Sequence, residues 1–542
     1  MTAPPAPRPA MPTIDIAFIG GGPQALRALV ELDDALAGVP GPRLRIVAID
    51  PHPPGAGAVW RVDQPDHLRM NVPADLVDLR CASAPWSLSE WHRRTLHTPC
   101  PRFPARRVVG AYLTWVWDRL ARSERWELLH VPARADRVDP EPSGWAVSFA
   151  GPAAPPLRAR RVVLCTGHRY PAGADHETLA DPLGADPRDA LVVRGAALTA
   201  FDVVMGATEG RGGRWRPSED GAAAARTPLV YVPSGTEPRR ITLLSRTGRM
   251  MLPKPEEPSS AAVDAVRALH AEWGRRDPLG EAWWDLLVEA ARRAARAQGV
   301  SVSYPALRAV LDAPPRCRDT AAVRDRWHQD LRRARGEVDE DPAWWLGRAW
   351  SAAHRDVLAS IERLPRSADT WPVFRRRAAS LERWAFGPPA ELVARLCALI
   401  DADLLAVETA VDAEEQHAIR AYIAGPGVLE SPRPWTDEED EARGPEHTDE
   451  RGDADPLWAR LLRTGAVTVR RGESGVLTAP DAACIGHDGT PTPGLAALGR
   501  PTEGPVVDHD SLSRDLHLDA RRWAASVARD LTADAFPETR TA

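Results

Sequence analysis

The sequence predicts an α/β protein: two Rossmann-like nucleotide-binding domains with a helical insertion. Three observations lead there. Ile14 to Val30 reads as strand, glycine turn and helix, and Arg45 to Asp50 as a second strand ending in an acid. Leu191 to Met205 and then Ile241 to Arg246 repeat that order. Between them and the C-terminus, from about 256 to 390, apolar residues fall at helical spacing.

In the first unit Ile14, Ile16, Phe18 and Ile19 read as a short buried strand. Gly20, Gly22 and Ala25 then fit G-x-G-x-x-A, and Leu26, Leu29 and Val30 continue at helical spacing. Gly20 allows the tight turn, Gly22 lets a pyrophosphate approach the backbone, and Ala25 lets helix and strand pack closely. Pro23 and Gln24 open the helix, whose free N–H groups face the phosphates. Asp50 is placed to accept hydrogen bonds from a ribose. Its distance from Gly20 exceeds the usual spacing of about 20 residues, and the linker Gly38-Val39-Pro40-Gly41-Pro42 accounts for the excess.

A loop, Pro53 to Trp60, follows, then His67 to Asn71 and Val72 to Leu79. Ser87 is placed to cap a short helix. Phe103-Pro104-Ala105-Arg106-Arg107 precedes an amphipathic helix from Val108 to Leu120. Leu128 to Val138 and Trp145 to Phe149 read as strands, and Arg161 to His168 as a strand running into Thr166-Gly167. A strand ending in Thr-Gly is a common return of a first nucleotide domain to its ligand.

The second unit has a degraded glycine pattern, Gly195 followed by Ala197 and Ala200, and a helix from Leu198 to Met205. Its second strand ends in Ser245-Arg246 instead of an acid. An arginine there accommodates a 2′-phosphate that Asp or Glu would repel. Two units suggest two nucleotides: FAD in the first and NADPH in the second, one passing hydride to the other.

The expected division is a disordered tail at 1–12, the FAD-binding domain's first part at 13–190 and the NADPH-binding domain's first part at 191–255. A helical insertion at 256–390, an NADPH-domain return at 391–435, an acidic loop at 436–455 and an FAD-domain return at 456–542 complete it. Helices are expected over Ala261 to Trp273, Glu281 to Gln298, Ala321 to Arg335, Trp344 to Leu364, Val373 to Trp384 and, last, Leu518 to Asp530. Nine of the 20 tryptophans lie in the insertion, where filling a core is their ordinary use.

The net charge of −6 gives no case for nucleic acid. Six cysteines without a C-x-x-C suit a reducing cytoplasm. The N-terminus shows no apolar signal core, and no run reaches the roughly 18 apolar residues of a membrane span. His92, His97 and Cys100 have spacings a metal uses but no matching fourth ligand, so no metal site is expected. The sequence leaves the oligomeric state open.

Ile16 to Ala25, Met70-Asn71, Phe103 to Trp115 and Val163 to His168 resemble flavin-dependent N-hydroxylating monooxygenases, the ornithine and lysine N-hydroxylases among them. In those enzymes a Met-Gln pair sits against the flavin. Closer is the bacterial FAD/NAD(P)-binding group with FAD-dependent urate hydroxylase and nitrosuccinate-forming aspartate N-monooxygenase. Gly55 to Arg80, Val193 to Gly213, Tyr231 to Arg239 and Ala497 to Gly504 are similar to its motifs.

The resemblance implies that NADPH reduces FAD, that O2 adds to the flavin, and that the flavin hydroperoxide oxidises a small-molecule substrate. The ornithine hydroxylases' substrate lysine is missing; Asp75-Leu76-Val77-Asp78 stands there. The leading expectation is L-aspartate oxidised to nitrosuccinate, its carboxylates met by Arg80, Arg106, Arg107 and Arg214, with Arg102 nearby. Alternatives are urate hydroxylation using Trp60 or Trp86 as a platform, an NADPH oxidase or flavin reductase, and a flavin-binding regulator without catalysis. Expected cofactor contacts are Gly20, Gly22, Pro23, Gln24, Asp50, Trp60, Met70, Asn71, Thr166, Gly167, Gly195, Ser245, Arg246 and Gly504. Asn71 is the one expected catalytic side chain, as a hydrogen-bond partner of the flavin.

Overall fold

The computed structural model describes residues 13–150, 155–167, 190–219, 228–245, 247–409, 456–471, 473, 475–509 and 511–535. The tail at 1–12, His168, Arg246, the part of the NADPH-domain return beyond 409 and the acidic stretch at 436–455 lie outside the described residues.

The elements run β1 (Thr13–Ile19), α1 (Pro23–Ala35), β2 (Leu44–Ile49), α2 (Leu88–Leu96), α3 (Arg106–Ala121), β3 (Trp126–Val131), β4 (Ala135–Glu141), β5 (Gly144–Phe149) and β6 (Leu157–Leu164). Then come β7 (Ala190–Arg194), α4 (Leu198–Thr208), β8 (Arg214–Pro217), β9 (Leu229–Val232) and β10 (Arg240–Ser245). Helices α5 (Ser260–Arg267), α6 (Glu281–Arg296), α7 (Tyr304–Asp312), α8 (Thr320–Ala334), α9 (Pro342–Ile361), α10 (Thr370–Ala385) and α11 (Ala390–Asp401) lead to β11 (Leu405–Thr409). The chain closes with α12 (Pro456–Arg463), β12 (Ala483–Ile485), β13 (Pro491–Ala497) and α13 (Asp519–Ala535).

Contacts divide the chain into two units. The first takes its described residues from 13–64, 72–167 and 456–535, the second from 65–71 and 190–409. The seven residues Pro65–Asn71 are built into the second unit although the chain on both sides belongs to the first.

The first unit holds an eight-stranded sheet with the path β12-β13-β6-β1-β2-β3. Apolar runs buried on both faces give parallel pairing at its centre: Phe18 lies opposite Ala48 of β2 and Val163 of β6. Strand β13 returns late in the chain and pairs parallel with the second half of β6, Leu495 opposite Val162. The first half of β6 pairs antiparallel with β5. Helix α1 buries Ala25, Leu26, Leu29 and Val30 completely, and Phe18 meets Trp523 of α13 edge-on at 5.8 Å. Ser87 does cap α2: its side chain accepts from the Glu90 N–H while the Glu90 carboxylate accepts from the Ser87 N–H.

The second unit is built on a three-stranded parallel sheet, β11-β10-β7, with Leu243 opposite both Val193 and Val407. Its helices follow the expected spans, and the periodicity reading missed α7 and α11. Trp273, Trp283, Trp284, Trp327, Trp344, Trp345, Trp350 and Trp384 are all buried, so the tryptophans fill a core. Some indole nitrogens find acceptors: Trp327 Nε1 donates to the Met251 carbonyl at 3.2 Å and Trp350 Nε1 to Glu382 at 2.5 Å, whereas Trp273 Nε1 and Trp284 Nε1 are buried without one among the described residues. Each buried ring contributes on the order of 4 kcal/mol of apolar transfer energy before entropy. Among the described residues no helix is long and apolar enough to cross a membrane.

Candidate functional site

Gly20 adopts φ +98°, and a Cβ there would sit 2.2 Å from the Cys165 carbonyl oxygen. Only glycine lets β1 turn this close under the end of β6. Its N–H donates to the Ile49 carbonyl at 2.8 Å, and the Cys165 N–H donates to the Ile19 carbonyl at 2.7 Å. The turn is thus pinned between its two neighbouring strands. The loop after Asp50 closes one side: the Gly55 N–H donates to the Gly21 carbonyl at 2.7 Å, and a Cβ on Gly57 would lie 2.9 Å from Gly22 Cα. A Cβ on Gly22 would meet only Gly57 Cα, at 3.8 Å. Gly22 caps α1 without any side-chain cap, and Pro23 follows. Bare backbone at a helix start is the surface a pyrophosphate needs.

The Asp50 carboxylate accepts from the Gly21 N–H at 2.7 Å and from the His52 N–H at 2.8 Å. Each oxygen keeps lone-pair capacity for a hydroxyl. Thr166 and Gly167 continue from β6, and Gly167 has φ +70° with open space at its Cβ position. Trp60 is half-buried and its carbonyl packs where Gly110 of α3 has no side chain. The open cradle, the acid and the glycine-bearing strand end fit FAD, with Gly20, Gly22, Gln24, Asp50 and Gly167 as the residues to hold it.

A buried polar network braces the cradle. A Cβ on Gly499 would lie 2.7 Å from the Gln24 side chain, and Gln24 Nε2 donates to the Ser511 carbonyl at 3.1 Å. The Gly499 N–H lies 3.2 Å from His509 Nδ1, and His509 Nε2 faces Asp519. Arg27 of α1 pairs with the same carboxylate at 3.3 Å. Burial alone would raise the Asp519 carboxyl, but His509 and then Arg27 hold it far below the usual carboxylate range. Burial, and then the neighbouring His509, push the His517 imidazole down to about 3. Gly504 lies on the same return, its N–H donating to the Val506 carbonyl at 3.2 Å.

In the second unit Gly195 has φ +118° and open space at its Cβ position, and α4 starts three residues on without a side-chain cap. Its N–H donates to the Leu244 carbonyl at 2.8 Å, which ties the glycine turn to β10. This backbone fits a second dinucleotide. Ser245 is buried and its hydroxyl accepts from the Gly248 N–H at 3.0 Å. Arg383 of α10 donates to the Ala196 carbonyl at 3.2 Å, so the helical insertion itself supports this turn. Sequence reading did not single out Arg383; nothing local to α10 marks it.

Met70 is buried and Asn71 half-buried within the same unit. Asn71 Oδ1 accepts from Lys254 Nζ at 2.7 Å, and Nδ2 donates to the Phe386 carbonyl at 3.5 Å. Lys254 also donates to the Gly387 carbonyl. Lys254 was missed as well, although composition marks it: it is the chain's single lysine.

The expected substrate arginines are not brought into one cluster by the described contacts. Arg80 is exposed and its guanidinium is held by Asp78, Nε at 2.9 Å from both carboxylate oxygens. Arg102 lies over Phe103. Arg106 and Arg107 form the first turn of α3, half-buried and exposed respectively. Arg214 is exposed on β8 in the other unit. Trp86 stacks on Trp115 at 5.2 Å and 3°, and the Arg94 guanidinium lies over its ring at 4.9 Å. His92 Nδ1 donates to the Thr98 carbonyl at 3.0 Å.

Residues 17–169 match a family described as FAD-NAD(P)-binding. This stretch, which contains the glycine cradle and Asp50, is an FAD/NAD(P)-binding domain. Among curated proteins the chain is similar to a nitrosuccinic acid synthase of Aspergillus oryzae, 33% identical over 260 residues, covering 41% of this chain and 39% of that protein. It is also similar to a nitrosuccinate-forming L-aspartate N-monooxygenase of Streptomyces davaonensis, 29% identical over 289 residues, covering 41% and 42%. The chain thus spans about two fifths of the length of the curated relatives it matches. The nitrosuccinate-forming L-aspartate N-monooxygenase is one of the enzymes whose group the sequence motifs resemble. Among solved structures, an ornithine N-hydroxylase of Kutzneria sp. 744 aligns at TM-score 0.43 and 16% identity, covering 96% of this chain and all of that one. An ornithine hydroxylase of Pseudomonas aeruginosa aligns at 0.45 and 11%, covering 96% and 100%.

Proposed function

We propose that this protein is an NADPH-dependent flavin monooxygenase that N-oxidises a small amino acid, L-aspartate first, with nitrosuccinate as the full product. The observation that carries the reading is the open Gly22 cradle beside Asp50, inside a stretch that matches an FAD-NAD(P)-binding family. The names of the curated relatives support the substrate. FAD, when bound, supplies redox chemistry that no side chain here offers, with NADPH as electron source and O2 as oxidant.

The chain's residues do the rest. Gly20, Gly22 and the α1 amides take the pyrophosphate, and Asp50 the ribose. Trp60, Met70, Asn71, Thr166 and Gly504 complete the first cofactor's surroundings. Gly195, Ser245 and Arg246 take the second cofactor, Arg246 at its 2′-phosphate. Of the arginines, Arg106, Arg107 and Arg214 are the candidates for the aspartate carboxylates, because the Arg80 fork is engaged by Asp78. Urate is less favoured, because the Trp86 ring already stacks on Trp115 and carries Arg94. The setting for this chemistry is the cytoplasm.

The test is NADPH oxidation by the FAD-loaded protein across amino acids and urate. Stimulation by aspartate supports the proposal. Stimulation by urate alone, or equal peroxide formation with every compound, contradicts it.

A further inference from the structure

The helical insertion returns one loop to the end of β10. Arg316, Cys317 and Arg318 lie on it, just before α8. The Cys317 N–H donates to the Gly248 carbonyl at 2.7 Å, and the Cys317 carbonyl accepts from Thr409 Oγ1 at 3.1 Å. One residue thus ties the loop both to the turn after β10 and to the end of β11. Thr320 adds a second tie, its hydroxyl accepting from the Val407 N–H at 3.0 Å and donating to the Val407 carbonyl at 3.2 Å. A Cβ on Gly248, at φ +63°, would lie 2.4 Å from the Cys317 carbonyl oxygen and 3.4 Å from Arg316 Cβ. Only glycine permits this approach.

The loop brings two cations with it. Arg316 and Arg318 are exposed, and among the described residues neither makes a hydrogen bond or an ion pair. Two acids stand nearby. Asp319 is occupied as the cap of α8, accepting from the Ala322 N–H at 2.8 Å. Glu408 is exposed on β11 and pairs with neither arginine. Arginines that are merely solvated need no such anchoring of their backbone. The Ser245 hydroxyl accepts from the Gly248 N–H at 3.0 Å, which keeps the turn tight, so the Arg316 side chain starts beside the strand end. Arg318 lines an open cleft of about 450 Å³ together with Thr320, Val407 and Thr409. The end of the second strand of a dinucleotide unit is where the ribose 2′ substituent lies. A phosphate there takes guanidinium forks bidentately, whereas a plain 2′-hydroxyl has no charge to offer them.

We infer that Arg316 and Arg318 are specificity-determining residues of the second nucleotide site: they form a two-armed receptor for the 2′-phosphate of an adenine dinucleotide, supplied by the helical insertion and not by the strand–turn–helix unit. This rests on the proposal that the Gly195 turn takes a dinucleotide, and it concerns one unit of the chain alone. It predicts discrimination in binding, before any turnover.

The experiment titrates the full, FAD-loaded chain with 2′,5′-ADP and with 5′-ADP by isothermal calorimetry. The parent should prefer 2′,5′-ADP. Arg316→Gln and Arg318→Gln should each weaken 2′,5′-ADP by roughly fivefold to tenfold, and the double variant by roughly thirtyfold or more, while 5′-ADP changes by less than about twofold. Gly248→Ala keeps both charges but pushes the loop off the end of β10, and it should lower the same preference. If the double variant keeps the parent's preference, the arginines are solvated surface charges and the inference is overturned. It is overturned equally if the double variant loses both nucleotides alike, since the loop then only shapes the site, or if the parent binds the two alike. Preference for 2′,5′-ADP without oxygenated product from any amine contradicts the proposed function and leaves this inference standing. Aspartate oxidation driven equally by NADH and NADPH, with no preference between the two ADPs, does the reverse.

Discussion

The Gly21 amide and the Asp50 carboxylate are joined by a 2.7 Å hydrogen bond, so the acid that closes β2 also holds the glycine turn that follows β1. With the His52 N–H on its other oxygen, Asp50 organises the cradle before any ribose arrives. Hydrogen bonds to a charged group contribute about 1.5–3 kcal/mol each. Asp50→Ala should therefore lower Tm as well as flavin retention, read as the ratio of visible to ultraviolet absorbance after gel filtration. Loss of flavin with an unchanged Tm would mean that the acid serves the ligand alone.

Glycines at the cradle should differ in cost. Gly57→Ala places a Cβ 2.9 Å from Gly22 Cα at φ +60°, where backbone rather than a flexible side chain must move. Gly167→Ala has φ +70° but open space, so it should cost only the roughly 1–2 kcal/mol of left-handed strain. Gly22→Val fills the cradle itself and should abolish FAD retention while the apoprotein still folds. Titration of each variant with FAD orders them, and full flavin occupancy in Gly22→Val would remove the assignment of the first unit.

The buried network around Asp519 predicts acid sensitivity. His517 is pushed from 6.5 to about 3, so between those values the unfolded chain binds a proton that the folded chain does not. Stability then falls as pH drops below 6.5, by up to about 1.4 kcal/mol per pH unit. Asp519, also lowered, adds a loss in the same direction, beginning below its ordinary 3.8. Unfolding midpoints in urea should decline from pH 7 to pH 5, and less steeply in His517→Gln. Parallel declines in parent and variant would place the titrating group elsewhere.

Cofactor preference should follow Arg246. Its position is known from sequence, directly after Ser245 at the end of β10. Arg246→Ala should raise the KM for NADPH by roughly tenfold to a hundredfold, the worth of a charge-assisted contact of about 1.5–3 kcal/mol, and leave NADH nearly unchanged. Equal losses with both cofactors would show that Arg246 does not meet the 2′-phosphate.

Much of this fold was legible because it is local. The strand of Ile14, Ile16, Phe18 and Ile19, the turn at Gly20 and the strand ending at Asp50 carry their pattern within 40 residues, and β1 and β2 pair as that pattern implies. The strands around Leu243 were likewise legible, Val193 of β7 lying opposite it. What escaped depends on long-range packing. Nothing in Pro65–Asn71 says that it is built into the second unit, and Arg383 reaches the Gly195 turn only because α10 packs there. Trp86 read as a free platform because its neighbours on the ring, Arg94 and Trp115, come from two helices. The Lys254–Asn71 pair left one trace, in composition, as each is its residue type's single representative.

The most direct test of the proposed function is isotopic. The FAD-loaded protein, NADPH and L-aspartate are incubated under 18O2, and the products are followed by mass. The account predicts an N-oxygenated aspartate, and finally nitrosuccinate, carrying oxygen from 18O2 in proportion to NADPH consumed. Unlabelled aspartate recovered intact, with all NADPH oxidation appearing as labelled peroxide, would contradict it.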